Sequence, residues 1–587
     1  MKRKSLLIFV PLFLLSACQG TQDAKFSFKS FPVYTAASSE TNDDGVIDLS
    51  KQKKQEFSLA FLPDQPLLPY VKVSDYVRLF EEVEAFISGE QDNGKTYTVT
   101  FARNKINFGF SFDSEAKSIT IAGDFRYIMN GQEEKDRSSN AIEGRVTNSQ
   151  IGDPNAAYAL SYKETEIATF SYQGALYAPL TLLDNIFIKI AGAGYYFAYD
   201  RVYIYAEPTS LPKFKFIDKQ GDTPYTLAKS MSTAAQGATM PMYLRRINRD
   251  MVTFLFDNFY GLKYAKDIKS VAAYLKSTTY YEDMLSEDAE TRANALNLFV
   301  QQWNDGHTAL ASEAGAWEES AKRTIPQSII DTRTSIEESL VASRKAVYDS
   351  IGLKTNQVRY SKDGSTAVFT LGKFASYENF YDETSGEPTT TIEEAAKQDT
   401  YLQSKAHFEE IDKKGGVTNV IIDMSINEGG DSGTMGNLLT LLSKDNQSKM
   451  HLQDIFTGAT HVVTTRLDTN RDGKVDEKDK TYGNYKIYLL VSPAAFSCGT
   501  AYPFFASAQG LAKIIGQKPG GGECVLGQAI MPNGQAIYHS STLRVCVPKN
   551  GGFIYDEAGP EIDVDFDYRD FYDLEKMVAK LKEEEEE

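Results

Sequence analysis

Residues 487–525 read IYLLVSPAAFSCGTAYPFFASAQGLAKIIGQKPGGGECV, and this stretch decides the fold. Ile487 to Val491 is a short apolar run suited to a buried strand, and Ser492-Pro493-Ala494-Ala495 breaks it. Ser497 then stands at the mouth of an apolar helix that continues to about Gln509, where Gly510 stops it. Leu511 to Ile515 makes a second buried strand, and Gly520-Gly521-Gly522 closes the unit as a loop. A serine at a strand-to-helix turn sits among free backbone N–H groups, at the positive end of a helix dipole. That is a position for a nucleophile whose reaction passes through an oxyanion.

These residues resemble those of the C-terminal processing, or tail-specific, peptidases. Gly510-Leu-Ala-Lys-Ile-Ile-Gly516 is similar to the family's G-x-A-x-I-I-G strand, and Ser497 falls on its nucleophile position. The best-known branch uses a lysine base, whose place here is taken by Gly522, so the resemblance implies another base. Asp305-Gly306-His307-Thr308 resembles the D-x-H-T element of the triad-bearing members and makes His307 the candidate. Of the other four histidines, His407 reads as a surface residue in mid-helix, and His451, His461 and His539 have no partner pattern. Asp423-Met-Ser-Ile-Asn-Glu-Gly-Gly430 resembles the family's D-L-R-x-N-x-G-G turn, with Ser425 in the arginine's place. It implies oxyanion donors at the N–H of Gly429 or Gly430 and at the N–H of Cys498. Tyr555 to Val564 resembles an acidic residue followed by G-x-x-P-D-I-x-V, so Glu557, or else its neighbour Asp556, would orient the imidazole. Cys498 is either a rival nucleophile or a small buried hydrophobe. No clear tail-binding PDZ segment stands between His307 and Ser497. The resemblance covers roughly residues 240 to 570. It implies an α/β fold class, a ClpP/crotonase-like ββα core with a helical N-terminal cap.

The rest of the chain adds domains and a compartment. With 587 residues, two or three domains are expected, and a net charge of −18 argues against nucleic acid as a partner, because phosphate binding needs basic patches. Lys2-Arg3-Lys4, an apolar run from Leu6 to Leu15, and Leu15-Ser16-Ala17-Cys18 read as a signal peptide over 1–17 ending in a bacterial lipobox. Cys18 would then be lipidated, and an extracytoplasmic body would meet the membrane only through that lipid. Residues 18–54 are expected to be the lipidated cysteine and a flexible tether, and 55–210 a mainly β, stalk-like domain. Within that domain Pro69-Tyr-Val-Lys-Val-Ser-Asp-Tyr-Val and Leu176-Tyr-Ala-Pro-Leu-Thr-Leu-Leu-Asp share a theme. The segment resembles the N-terminal domains named after copper amine oxidases, and without His or Cys it implies no copper. Residues 240–310 read as the helical cap ending in His307, 311–575 as the peptidase core, and 576–587 as an acidic tail.

Two further features concern metal and redox chemistry. Asp468-Thr-Asn470-Arg-Asp472-Gly473-Lys474-Val-Asp476-Glu-Lys-Asp479 matches the twelve-residue EF-hand loop at its ligand positions. Oxygens of Asp468, Asn470, Asp472, Asp476 and Asp479 and the carbonyl of Lys474 are expected to hold one structural Ca2+ in an insertion at 468–479. No catalytic cofactor is expected. Cys524 and Cys546 lie on two candidate strands joined through Pro532-Asn533-Gly534 and are expected to form a disulfide. The reading is a surface-anchored serine endopeptidase acting on a protein or peptide substrate through Ser497, His307 and Glu557. Its rival is an inactive binding lipoprotein that captures a peptide or polymer with the same fold.

Overall fold

A computed structural model describes residues 26–587 except 43, 54, 81–85, 104–105, 124–133, 139–143, 151–156, 236–238, 312–314, 318–326, 378–379, 381–387, 457, 556, 558 and 587. The expected signal peptide over 1–17 and the expected lipidation site Cys18 therefore lie outside the described residues. Among those residues no helix is long and apolar enough to cross a membrane.

The C-terminal half is built on a six-stranded sheet in the order Arg359–Tyr360, Thr366–Thr370, Asn419–Asp423, Lys486–Val491, Lys513–Gly516 and Val564–Asp565. All neighbours pair in parallel except the first two, which form a hairpin. A parallel sheet is covered on both faces, so its strands are apolar throughout, as Val420, Ile421 and Ile422 are. Successive side chains go to opposite cores. Ile422, Leu489 and Ile514 meet Phe408, Leu439 and Phe505 from helices Thr400–Lys414, Ser432–Leu441 and Cys498–Ala508. Ile421, Leu490 and Ile515 meet Leu340 of helix Gln327–Ser350 and Met577 and Leu581 of helix Leu574–Glu586.

A second sheet is organised by one long strand, Ala536–Lys549. It pairs antiparallel with Cys524–Ile530, Ala309–Leu310, Ser448–Asp454 and Gly552–Tyr555. Strand Thr460–Asp468 continues this sheet, and strand Gly144–Gln150 from the N-terminal half pairs with it. The two halves of the chain thus share a sheet.

The expected tether is in part a structural strand. Ser27–Ala36 lies inside a seven-stranded sheet, paired with Gln55–Phe61 on one side and Val202–Tyr205 on the other. The polar composition of this segment hides its buried Val33 and Ala36. The two stretches with a common theme fold alike. Strand Pro69–Lys72 runs into helix Val73–Arg78, and strand Ala175–Pro179 runs into helix Leu180–Ala191. They pair with each other, Tyr177 opposite Lys72 and Pro179 opposite Tyr70. Nor does this half stand apart as a stalk. Tyr196 and Tyr199 donate hydroxyl hydrogen bonds to the Pro532 carbonyl at 3.1 and 3.2 Å, and Ile530 and Met531 join the N-terminal core.

Candidate active site

Ser497 sits where the Lys486–Val491 strand turns into the Cys498–Ala508 helix. Its backbone has φ 59° and ψ −123°, a left-handed region that costs a non-glycine residue about 1–3 kcal/mol. Four hydrogen bonds hold this elbow. The N–H of Ser497 and the hydroxyl of Thr500 donate to the Gly521 carbonyl at 2.9 and 2.7 Å. Phe496 N–H donates to the Asn427 carbonyl at 2.9 Å, and Gly520 N–H to the Ala495 carbonyl at 2.6 Å. The helix starts at once, because the Ser497 carbonyl accepts the N–H of Thr500 and Ala501.

Glycines let other loops reach the elbow. A Cβ at Gly429 would stand 2.8 Å from the Ser497 Cβ and 3.0 Å from the Cys498 nitrogen. A Cβ at Gly522 (φ 90°) would meet the Phe496 ring at 2.8 Å and the Ser497 nitrogen at 2.9 Å. The position where the family's lysine would stand therefore has no room for a side chain in this conformation. The turn after Asp423 is closed by its own side chains. Asn427 accepts the Gly429 N–H at 2.8 Å and donates to the Leu371 carbonyl at 2.8 Å. Ser425, in the arginine's place, donates to Asp423 at 2.6 Å and meets the Tyr572 hydroxyl at 3.0 Å. A guanidinium still faces Asp423, supplied by Arg344 at 3.6 Å. Of the two candidate glycine donors, Gly429 has its N–H engaged. The N–H groups of Gly430 and Cys498 bond no other residue among the described ones.

His307 arrives from the cap. Asp305 accepts its backbone N–H at 3.0 Å and the Thr308 hydroxyl at 2.6 Å, and strand Ala309–Leu310 then pairs with Ala536–Lys549. The buried imidazole packs edge-on against Phe496, with ring centres 4.9 Å apart. Gly306 permits this, since a Cβ there would lie 2.4 Å from the same phenyl ring. One ring thus ties together the histidine turn, the Gly522 loop and the residue preceding Ser497.

Glu557 accepts the N–H of Gly522 at 3.3 Å and of Glu523 at 3.2 Å. Burial pushes its carboxyl above the ordinary range. The Gly522 N–H opposes this, the nearby Asp305 carboxylate adds to it, and Arg544 and Lys266 pull it down. Asp556, the alternative, lies outside the described residues. Sequence reading used Asp305 only as a motif letter, and the fold makes it an electrostatic neighbour of Glu557. It also missed Glu523, a buried carboxylate paired with Arg544, whose guanidinium lies 4.5 Å over the Tyr555 ring. Nothing in the local pattern of either residue marks it. Cys498 points its thiol at the Gly430 carbonyl at 3.2 Å, and burial raises it to about 12.

Residues 390–565 match the model of peptidase family S41. This part of the chain is an S41 peptidase domain. The match takes in Ser497, the Asp423–Gly430 turn and Glu557, while His307 precedes it. Solved structures similar to the chain include a lipoprotein from Streptococcus agalactiae, at 13% identity over 59% of this chain and 98% of that one, TM-score 0.33. Mature CPAF aligns at 11% identity over 58% and 97%, TM-score 0.37. The photosystem II D1 C-terminal processing protease aligns at 12% identity over 37% and 46%, TM-score 0.25. No curated protein matches the chain.

Cys524 and Cys546 are free thiols. Cys524 faces Arg544 across the strand pair, two residues short of Cys546, and such a diagonal is too long for a disulfide without backbone movement. His407 is not a surface residue: it is half-buried with its ring 5.0 Å from Phe369, and burial lowers its basicity. His461 and His539 are buried in the second sheet.

The acidic loop follows strand Thr460–Asp468 as an insertion. Asp468 accepts the N–H of Asp472 (3.1 Å) and Gly473 (2.8 Å), Asn470 that of Asp472 (2.9 Å), and Asp472 that of Lys474 (3.0 Å). Asp479 accepts from Thr469 and Asp476 at 2.6 and 2.8 Å, and Asp476 from Lys478 at 2.9 Å. Among the described residues no three His, Cys, Asp or Glu side chains converge as a metal site. The donor set, all hard oxygens, still fits Ca2+ in kind.

Proposed function

We propose that the protein is a serine endopeptidase whose nucleophile is Ser497. The observation that carries this reading is the left-handed elbow at a strand-to-helix turn, a strained serine held by four hydrogen bonds beside open N–H groups. Ser497 Oγ attacks the substrate's peptide carbonyl while His307 takes its proton. The N–H groups of Cys498 and Gly430 stabilise the oxyanion, and His307 returns the proton to the leaving amine. Glu557 holds the imidazole and favours its charged form. Cys498 is the weaker candidate, because a thiol raised to about 12 is not a thiolate at neutral pH.

Anchoring through a lipid on Cys18 belongs to the same reading and rests on the lipobox. So does calcium, held by Asp468, Asn470, Asp472, Asp476, Asp479 and the Lys474 carbonyl. The bound ion would fix the insertion and supply no catalytic chemistry. The test is hydrolysis of a mixed-sequence peptide library by the purified protein, beside Ser497→Ala and His307→Ala. Cleavage by the wild type alone is expected. Peptide binding without turnover by all three would replace the peptidase by a binding lipoprotein.

A further inference from the structure

A cavity whose lining does not include Ser497 lies at the seam between the N-terminal half, the cap and the long strand of the second sheet. It holds about 320 Å3, the lower end of the range for small-molecule sites. Its walls are largely apolar: Ile121, Ile186, Phe259, Leu526 and Leu543. Leu526 is 42% exposed and marks a way in.

Into this apolar space come two basic groups. Lys189, in the last turn of helix Leu180–Ala191, places Nζ 3.0 Å from Nε2 of His539 and donates to the Gln528 carbonyl at 3.2 Å. The same Nζ lies 4.9 Å over the Phe259 ring. His539 Nδ1 faces the Ser540 carbonyl at 3.1 Å, which sets the tautomer that accepts from lysine. The remaining charged group in the lining is Asp454, whose carboxylate accepts the Thr542 hydroxyl at 2.8 Å and the Phe456 N–H at 3.0 Å. No carboxylate of the described residues lies within ion-pair range of Lys189. Burial lowers Lys189 to about 7 and keeps His539 neutral, with Lys189 itself opposing the imidazole's charge. An apolar pocket with a cation-forming group at its wall and no counter-ion is chemically complementary to an amphipathic anion.

We propose that this seam binds a small apolar carboxylate, its head group on Lys189 and its hydrocarbon part against Ile186, Phe259 and Leu543. Free medium-chain acids and the C-terminal residue of a peptide share that chemistry. Binding draws a proton onto Lys189, so affinity falls as pH rises through the value at which the empty site loses its charge. The Cys524–Ile530 strand, which contributes Leu526 to the site, begins directly after the Gly522–Glu523 backbone that holds Glu557. An occupant would therefore stiffen the same strand that continues into the candidate active site.

The test is calorimetry on the purified protein with octanoate, 1-octanol and N-acetylphenylalanine at about pH 6 and pH 9. At pH 6 at least one of the two acids is expected to bind, and 1-octanol at least about tenfold more weakly than octanoate wherever octanoate binds. By pH 9 acid binding should fall about tenfold or more, as should binding to Lys189→Met at pH 6. Should that variant fail to fold, Lys189→Gln carries the same expectation. Tighter binding of N-acetylphenylalanine assigns the site to peptide termini, and tighter binding of octanoate to free acids. Ser497→Ala should bind as the wild type does. No binding of either acid up to about 10 mM overturns the proposal, as does 1-octanol matching octanoate. Undiminished binding by the Lys189 variants, or loss of binding in Ser497→Ala, overturns it as well.

Discussion

Two turns end adjacent parallel strands of the S41 domain, and they use their polar groups in opposite ways. After Asn419–Asp423 the turn is satisfied from within: Asp423, Ser425 and Asn427 are buried and hydrogen-bonded to one another's backbone or to neighbours. After Lys486–Val491 the turn is strained at Ser497, borrows its hydrogen bonds from Asn427 and Gly521, and leaves the Cys498 N–H open. The first turn is scaffold, and in the proposed function the second is the reactive element that it holds. Strain of this kind persists only where the surroundings over-determine it, and here the over-determination comes from a different strand and from the glycine loop.

The comparison can be broken at either turn. Ser497→Ala removes the attacking oxygen, and turnover is expected to fall by at least about 10³-fold with folding intact, read as initial rates on a peptide found by library screening. Asn427→Ala breaks the scaffold instead. It leaves the buried Gly429 N–H and Leu371 carbonyl without partners and should cost roughly 2–4 kcal/mol in urea unfolding, with activity lost alongside. An Asn427→Ala protein as stable as the wild type would mean that the first turn does not support the second. Ser497→Gly sharpens the contrast from the other side: it relieves the positive φ and should stabilise the inactive protein by about 1 kcal/mol.

Glu557 adds a pH signature. Its carboxyl is raised above the ordinary 4.5 by burial, so between that value and its folded pKa the folded state binds the proton more tightly than the unfolded state. Stability contributed by this group therefore increases as pH falls through that window, while activity, which on the proposed mechanism needs the carboxylate, is expected to decline. Glu557→Gln should flatten that part of the stability curve and slow turnover. Smallest is the calcium effect. Millimolar calcium should raise stability by on the order of 1 kcal/mol, and Asp468→Asn or Asp472→Asn should abolish the increment. No calcium dependence of the melting temperature would remove the ion from the account.

How much of this was legible in sequence follows the range of the interactions. The central strands and the Ser497 helix could be read because burial on both faces makes apolar runs, and because Gly510 and Pro493 punctuate them. The Asp305–Thr308 turn was readable for a similar reason, its bonds being local. What was hidden depends on partners distant in sequence. Ser27–Ala36 became a strand only by pairing with Gln55–Phe61 and Val202–Tyr205, which its polar composition does not announce. The disulfide failed by a register of two residues, because even with the bulge between Cys524 and Leu526 the residue opposite Cys524 is Arg544 and not Cys546. Arg344 reaching Asp423 from helix Gln327–Ser350, and Lys189 meeting His539 across 350 residues, have no local signature at all.

The central claim is that the strained serine is an activated nucleophile served by His307. A fluorophosphonate probe on the folded protein tests it most directly, with the labelled residue located by peptide mass spectrometry. The account predicts label on Ser497, lost in Ser497→Ala and His307→Ala and retained in Cys498→Ala. Label that survives His307→Ala at the wild-type rate, or that depends on Cys498, would contradict it.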